Sequence, residues 1–143
     1  MTQEEKRLLL RDLSARLPYG VKYCRDSWNF EWDQEMSVVE VLEDIDKDGY
    51  INYHRVYKVW DIMPYLRPMS SMTEDERKEL LKILNYEFYV DDDFALVAED
   101  DRRRVRLELC KGYIDWLNAH HFDYRGLIPM GLALAAKEGM YML

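Results

Sequence analysis

A chain of 143 residues with 48% hydrophobic and 13% aromatic side chains carries too much large apolar surface for a disordered polymer, and enough to bury one core. Its net charge of −8 argues against direct, nonspecific binding to nucleic acid, which draws its free energy from cationic side chains displacing counterions. The apolar runs LLL at 8–10 and LIPMGLALAA at 127–136 are too short to cross a bilayer or to serve as an export signal, so a soluble, cytoplasmic protein without membrane contact is expected.

Thr2 and Glu5 have capping-box spacing, Leu10, Leu13 and Leu17 follow at i, i+3 and i+7, and Pro18 with Gly20 stops the run, which predicts a first helix. From Val21 to about Tyr57 the period shortens toward two: VKYCR, VVEVLEDI and YINYHRVY are rich in β-branched and aromatic residues and predict a small antiparallel sheet. The two prolines of PYLRPMSSM at 64–72 make that stretch an ordered connector. Thr73 and Glu76 repeat the capping-box spacing ahead of Leu80, Leu81 and Leu84, predicting a second helix.

YEFYV and FALVAE then alternate again, and Val105, Leu107 and Leu109 alternate with Arg104, Arg106 and Glu108, with EDDR as the hairpin turn. Here the acidic groups DDD at 91–93 and EDD at 99–101 precede RRRVR at 102–106; a local anion site is one reading, opposite charges pairing across a solvated hairpin the plainer one. A third helix starts near Gly112, with Tyr113, Trp116, Leu117 and His120 on one face. Asp123 is placed to cap a short helical turn through Leu127 that Pro129 limits. The order predicts one α+β domain over 1–143, a small antiparallel sheet or partly open barrel packed with about three helices.

Three stretches and two isolated cysteines carry candidate chemistry. DIDKDGYINYHR at 44–55 places Asp44, Asp46 and Asp48 at the first, third and fifth positions of an EF-hand-like loop, with Gly49 at the sixth. Its twelfth position, where a bidentate carboxylate belongs, is Arg55, and its flanks favour strands, so a hairpin turn at Asp48-Gly49 is expected and a calcium module is the alternative. AHHFDYRG at 119–126 offers His120, His121, Asp123 and Arg125 as a ligand or acid–base cluster. Neighbouring helical residues point about 100° apart, however, so the two imidazoles do not readily share a metal, and helix-end packing is the plainer reading.

Trp28, Phe30 and Trp32 alternate in SWNFEWDQE, either as core, as a partner surface, or as a stacking platform that Glu31, Asp33 and Glu35 would make hostile to phosphates. Cys24 and Cys110, far apart and outside any CxxC spacing, read as buried free thiols; a catalytic thiol would need His120 or His121 beside it. There is no Gly-rich phosphate loop, nucleophile elbow or HExxH in the chain, so no cofactor is expected.

Three blocks, KRLLLRDLSARLPYGVK, PYLRPMSSMTEDE and IDWLNAHHFDYRGLIPMGLALAAKEGMY, together resemble a family of short proteins of gut bacteria and their phages and prophages. The aspartate loop falls in what looks like a variable part between them. The resemblance implies a bacterial cytoplasm, mobile elements and a place in the conflict between phage and host, and it brings no activity or catalytic residue with it. Together these readings give a non-enzymatic interaction or regulatory protein with a protein partner. The alternative is a small enzyme or ligand-binding domain with its site near His120 to Arg125.

Overall fold

In the computed structural model, which describes residues 1–29, 34–53, 56–84, 88–90, 96–98 and 111–141, the first helix, α1 (Gln3–Arg16), begins where Thr2 Oγ1 accepts the Glu5 amide. That bond satisfies an amide that the helix start leaves without a partner. A 3-10 turn at Leu17–Tyr19 with Pro18 in its first turn, and Gly20 in the left-handed region, end the helix. Leu9 and Leu13 form its buried stripe, and Asp12 and Arg16 lie buried in the same stripe.

The chain then runs as β1 (Lys22–Asn29) and β2 (Gln34–Val41), paired antiparallel from Lys22 opposite Val41 to Asn29 opposite Gln34. Among the described residues of 50–57, the third expected strand of this region does not form. Tyr50 and Ile51 make only isolated bridges, to Lys58 and Ile45, because Asn52 and Tyr53 both turn into the left-handed region at φ 49° and 60°. A second correction concerns 64–72, expected as a connector: Met63–Leu66 is strand β3, in the interior of the sheet.

Pro64 is tolerated there for a reason of parity. The bond from Leu42 N–H to the Val21 carbonyl makes the odd residues of β1 face β2, so the even ones face β3. Cys24 opposite Met63 is therefore the hydrogen-bonded pair, and Pro64, opposite Tyr23, sits where no donor toward β1 is needed.

The second helix, α2 (Glu74–Ile83), starts with a complete capping box, Thr73 Oγ1 accepting the Glu76 amide and Glu76 accepting the Thr73 amide. After it come the short antiparallel pair β4 (Phe88–Val90) and β5 (Leu96–Ala98), then α3 (Lys111–Ala119). The expected EDDR hairpin and the alternation at 104–109 lie outside the described residues. Leu134–Ala135, strand β6, runs parallel to β3 and closes the order β2-β1-β3-β6. The result is an α+β architecture with an open sheet that is mixed rather than purely antiparallel.

Two apolar clusters hold these elements. Leu9 and Leu13 of α1 meet Val21, Tyr23, Leu42, Ile51 and Leu66 on one side of the sheet. Leu80 of α2 and Leu84, which caps its end, meet Tyr113, Trp116, Leu117 and Phe122 from α3 and the segment after it. Each buried leucine contributes roughly 1.5–3 kcal/mol, and truncating Leu13 to Ala would cost about 2–5 kcal/mol once the cavity is included.

Candidate functional site

Residues 116–125 do not converge on a common point. His120 Nδ1 lies 2.9 Å from the Trp116 carbonyl; a carbonyl only accepts, so Nδ1 carries the proton, and the ring stacks on Trp116 with centroids 4.1 Å apart. His121 takes φ +64° just past the end of α3, which turns its imidazole onto the Tyr141 ring, 3.7 Å away. Burial above all, and then the positive charges of Arg16, Arg67, His120 and Lys22, push the His121 pKa down to about 4, so its imidazole is neutral at pH 7.

Asp123 was expected to cap a helical turn; no helix forms there, and its two carboxylate oxygens accept the amides of Leu127 and Ile128 across an irregular turn. Arg125 reaches back to Asp12, 2.8 Å from Oδ1. The four residues thus have four separate sets of partners.

Arg125 instead belongs to an ionic cluster around α1. Asp12 and Arg16, both with fully buried side chains, pair in two hydrogen bonds of 2.8 and 3.2 Å, and Arg16 Nη2 also donates to the Phe122 carbonyl at 2.6 Å. The Arg16 guanidinium lies over Tyr124, whose hydroxyl donates to Asn118. Sequence reading missed this cluster, although a signal was present: Leu9, Asp12, Leu13 and Arg16 follow the i, i+3, i+4, i+7 pattern of one buried face. A second ion pair joins Arg67, after β3, to Glu76 at 2.7 and 2.8 Å. Burial works against the Glu76 carboxylate, but the bonds from Arg67 and the Thr73 amide outweigh it and hold its pKa below the usual value.

The Tyr141 hydroxyl links β1 to β3. Lys22 N–H donates to Tyr141 Oη at 2.8 Å, and that hydroxyl donates to the Tyr65 carbonyl at 2.7 Å. It stands where a direct β1–β3 ladder bond would otherwise run, and burial pushes its pKa up to about 12.

The aspartate loop is a closed turn. Asp46 Oδ1 accepts the amides of Asp48 and Tyr50, the Gly49 amide donates to the Asp46 carbonyl, and Gly49 has φ +89° against the Trp60 ring. Among the described residues no three acidic, His or Cys side chains, including Asp44, Asp46 and Asp48, are grouped to hold a metal; Arg55 lies outside them. Trp28 sits in β1 opposite Glu35, whereas Phe30 and Trp32 lie outside the described residues.

The clefts are open to the surface, and several of their polar groups are engaged. One of about 310 Å3 is lined by Thr73, Asp75, Glu76, Glu79 and His120, where Glu76 holds Arg67 and Glu79 accepts Trp116 Nε1–H. Another, of about 420 Å3, opens at the end of β2 between Glu40, Val41, Glu43 and Asn52. Around it are apolar side chains left in solvent: Val39 (47% exposed), Val41 (40%) and, one residue beyond Asn52, Tyr53 (80%). No family model matches the chain, and no characterised protein or solved structure shows significant similarity to it.

Proposed function

We propose that this chain is a non-enzymatic interaction protein, of phage or prophage descent, that acts in the bacterial cytoplasm by binding another protein. The observation that carries this reading is where the polar and apolar groups are used. His120, His121, Asp123 and Arg125, with Asp12 and Arg16 of α1, serve the scaffold, whereas Val39, Val41 and Tyr53 are held in solvent. Tyr53 in particular is a large aromatic at a backbone angle that residues with a side chain rarely adopt, and Tyr is enriched among side chains that dominate binding energy. An acidic surface of net charge −8 adds attraction for basic partners.

Affinity capture from a gut-bacterial lysate, with size-exclusion chromatography of the purified chain, tests this. A stoichiometric protein partner is expected. Neither partner nor self-association would remove the support for the reading.

A further inference from the structure

We propose that residues 134–141 form a latch that acid opens: uptake of a proton by His121 drives Tyr141 from its seat and frees strand β6 from β3.

The latch is lightly held. None of residues 134–141 is buried, and Lys137, Glu138 and Gly139 lie in solvent. β6 meets β3 over two residue pairs, Tyr65 with Leu134 and Leu66 with Ala135, and the Ala136 amide adds one bond to the Leu66 carbonyl. Past that point the segment stands off the body across a cleft of about 240 Å3, lined on the body side by Arg67, Pro68 and Ser71. It is fastened again at its end, where the Tyr141 hydroxyl joins the Lys22 amide to the Tyr65 carbonyl, Lys22 Nζ donates to the Met140 carbonyl at 2.7 Å, and the Tyr141 ring covers His121. A segment with so few buried contacts opens at a smaller free energy than the core.

His121 is where a proton undoes this fastening. The residue is 7% exposed, and its Nδ1 is buried without a hydrogen-bond partner among the described residues. An imidazolium carries a proton on both nitrogens, so Nδ1 would become a buried charged donor with nothing to receive it. The charges that act on the ring are those of Arg16 in α1, Lys22 in β1, Arg67 after β3 and His120 just past α3, and all of them oppose a further positive charge.

The carboxylates of the same corner are occupied: Asp12 by Arg16 and Arg125, Glu76 by Arg67 and the Thr73 amide, and Asp123 by the Leu127 and Ile128 amides. On the latch itself Lys137 and Glu138 are exposed, and burial keeps the Tyr141 phenol neutral. Lys22 Nζ already stands over that phenol, 5.7 Å from the ring centre, so a charged His121 would set a second cation on it.

Lifting the Tyr141 ring opens the imidazole to water, where its pKa returns from about 4 toward 6.5. The open form therefore binds the proton more tightly. Closure has its full advantage above pH 6.5 and loses it on the way down to pH 4, and between pH 7 and pH 5 the opening constant rises by as much as about 20-fold.

Amide hydrogen exchange of the full chain at pH 7 and pH 5, corrected for the intrinsic pH dependence of exchange, reads this constant at the Ala136 and Lys22 amides, whose acceptors are Leu66 and Tyr141. Both should open more readily than the amide of the buried Leu13 at either pH. In the wild type their opening constant should rise at least about fivefold on acidification, and in His121→Asn it should stay level. Tyr141→Ala serves if the asparagine variant does not fold: with the fastening gone, Ala136 should exchange freely, with one corrected constant at both pH values. Ala136 and Lys22 amides as protected as that of Leu13, so that the segment opens only with the whole fold, would overturn the proposal. So would an opening constant in the wild type that ignores pH, or an acid response that either variant retains in full.

Discussion

Protonating His121 should weaken the fold, and the structure sets by how much. The imidazole is buried at the end of α3 against Tyr141, with its pKa lowered from 6.5 to about 4. The unfolded chain therefore takes up this proton first as pH falls. Stability from the neutral ring is full above pH 6.5 and is lost on the way down to pH 4.

A displacement of that size corresponds to about 3 kcal/mol over the whole window, and to about 2 kcal/mol between pH 7 and pH 5. The upper part of the window isolates His121, because carboxylates held low, such as Glu76, give up their contribution only at lower pH. Urea unfolding at pH 7, 6 and 5 reads the effect, with His121→Asn as the control. Asparagine accepts the positive φ and does not titrate, so the difference between the two proteins should shrink by about 2 kcal/mol across this range. Parallel stabilities of wild type and His121→Asn from pH 7 to 5, or a His121 ring that titrates near 6.5 by NMR, would refute the reasoning.

Three further substitutions probe the scaffold by equilibrium unfolding. Asp12→Asn leaves the Arg16 guanidinium buried without its counter-charge and should cost about 3–5 kcal/mol, whereas Asp12→Leu combined with Arg16→Met should recover much of that loss. Tyr141→Phe keeps the ring on His121 and removes only the hydroxyl linking the Lys22 amide to the Tyr65 carbonyl, for a loss of about 2 kcal/mol. Gly49→Ala combines φ +89° with a methyl 3.2 Å from the Trp60 ring and should destabilise by about 1–3 kcal/mol; no change in stability would contradict the turn geometry.

What was legible in the sequence was local. Thr2 with Glu5, and Thr73 with Glu76, announce helix starts because each side chain bonds to a backbone group only three residues away. Asp48 with Gly49 announces a turn for the same reason, and Asp46 closes it through bonds to residues two to four positions away. Strand β3 was not legible, since Pro64 and Pro68 read as a connector until the register with β1 shows that Pro64 needs no donor on that side.

The site region was misread in a similar way. His120, His121, Asp123 and Arg125 are close in sequence, yet their partners are Trp116, Tyr141, the 127–128 amides and Asp12, two of them distant in the chain. The Asn52 side chain, bonded to the Val41 carbonyl and the Glu43 amide, likewise joins residues about ten positions apart through bonds that no periodicity encodes. Asp12 and Arg16 are the exception: two charges on a buried helical face are readable in the pattern, and they mark a structural ion pair.

The central claim is that this protein works through a surface of exposed apolar side chains beside β2. Its most direct test is quantitative affinity capture from bacterial lysate with wild type and with the Val39→Lys, Tyr53→Ala double variant, matched for folded concentration by their melting curves. The account predicts a protein retained by wild type and depleted at least tenfold with the variant. Equal retention by both, or nothing retained by a wild-type chain that also fails to self-associate, would contradict it.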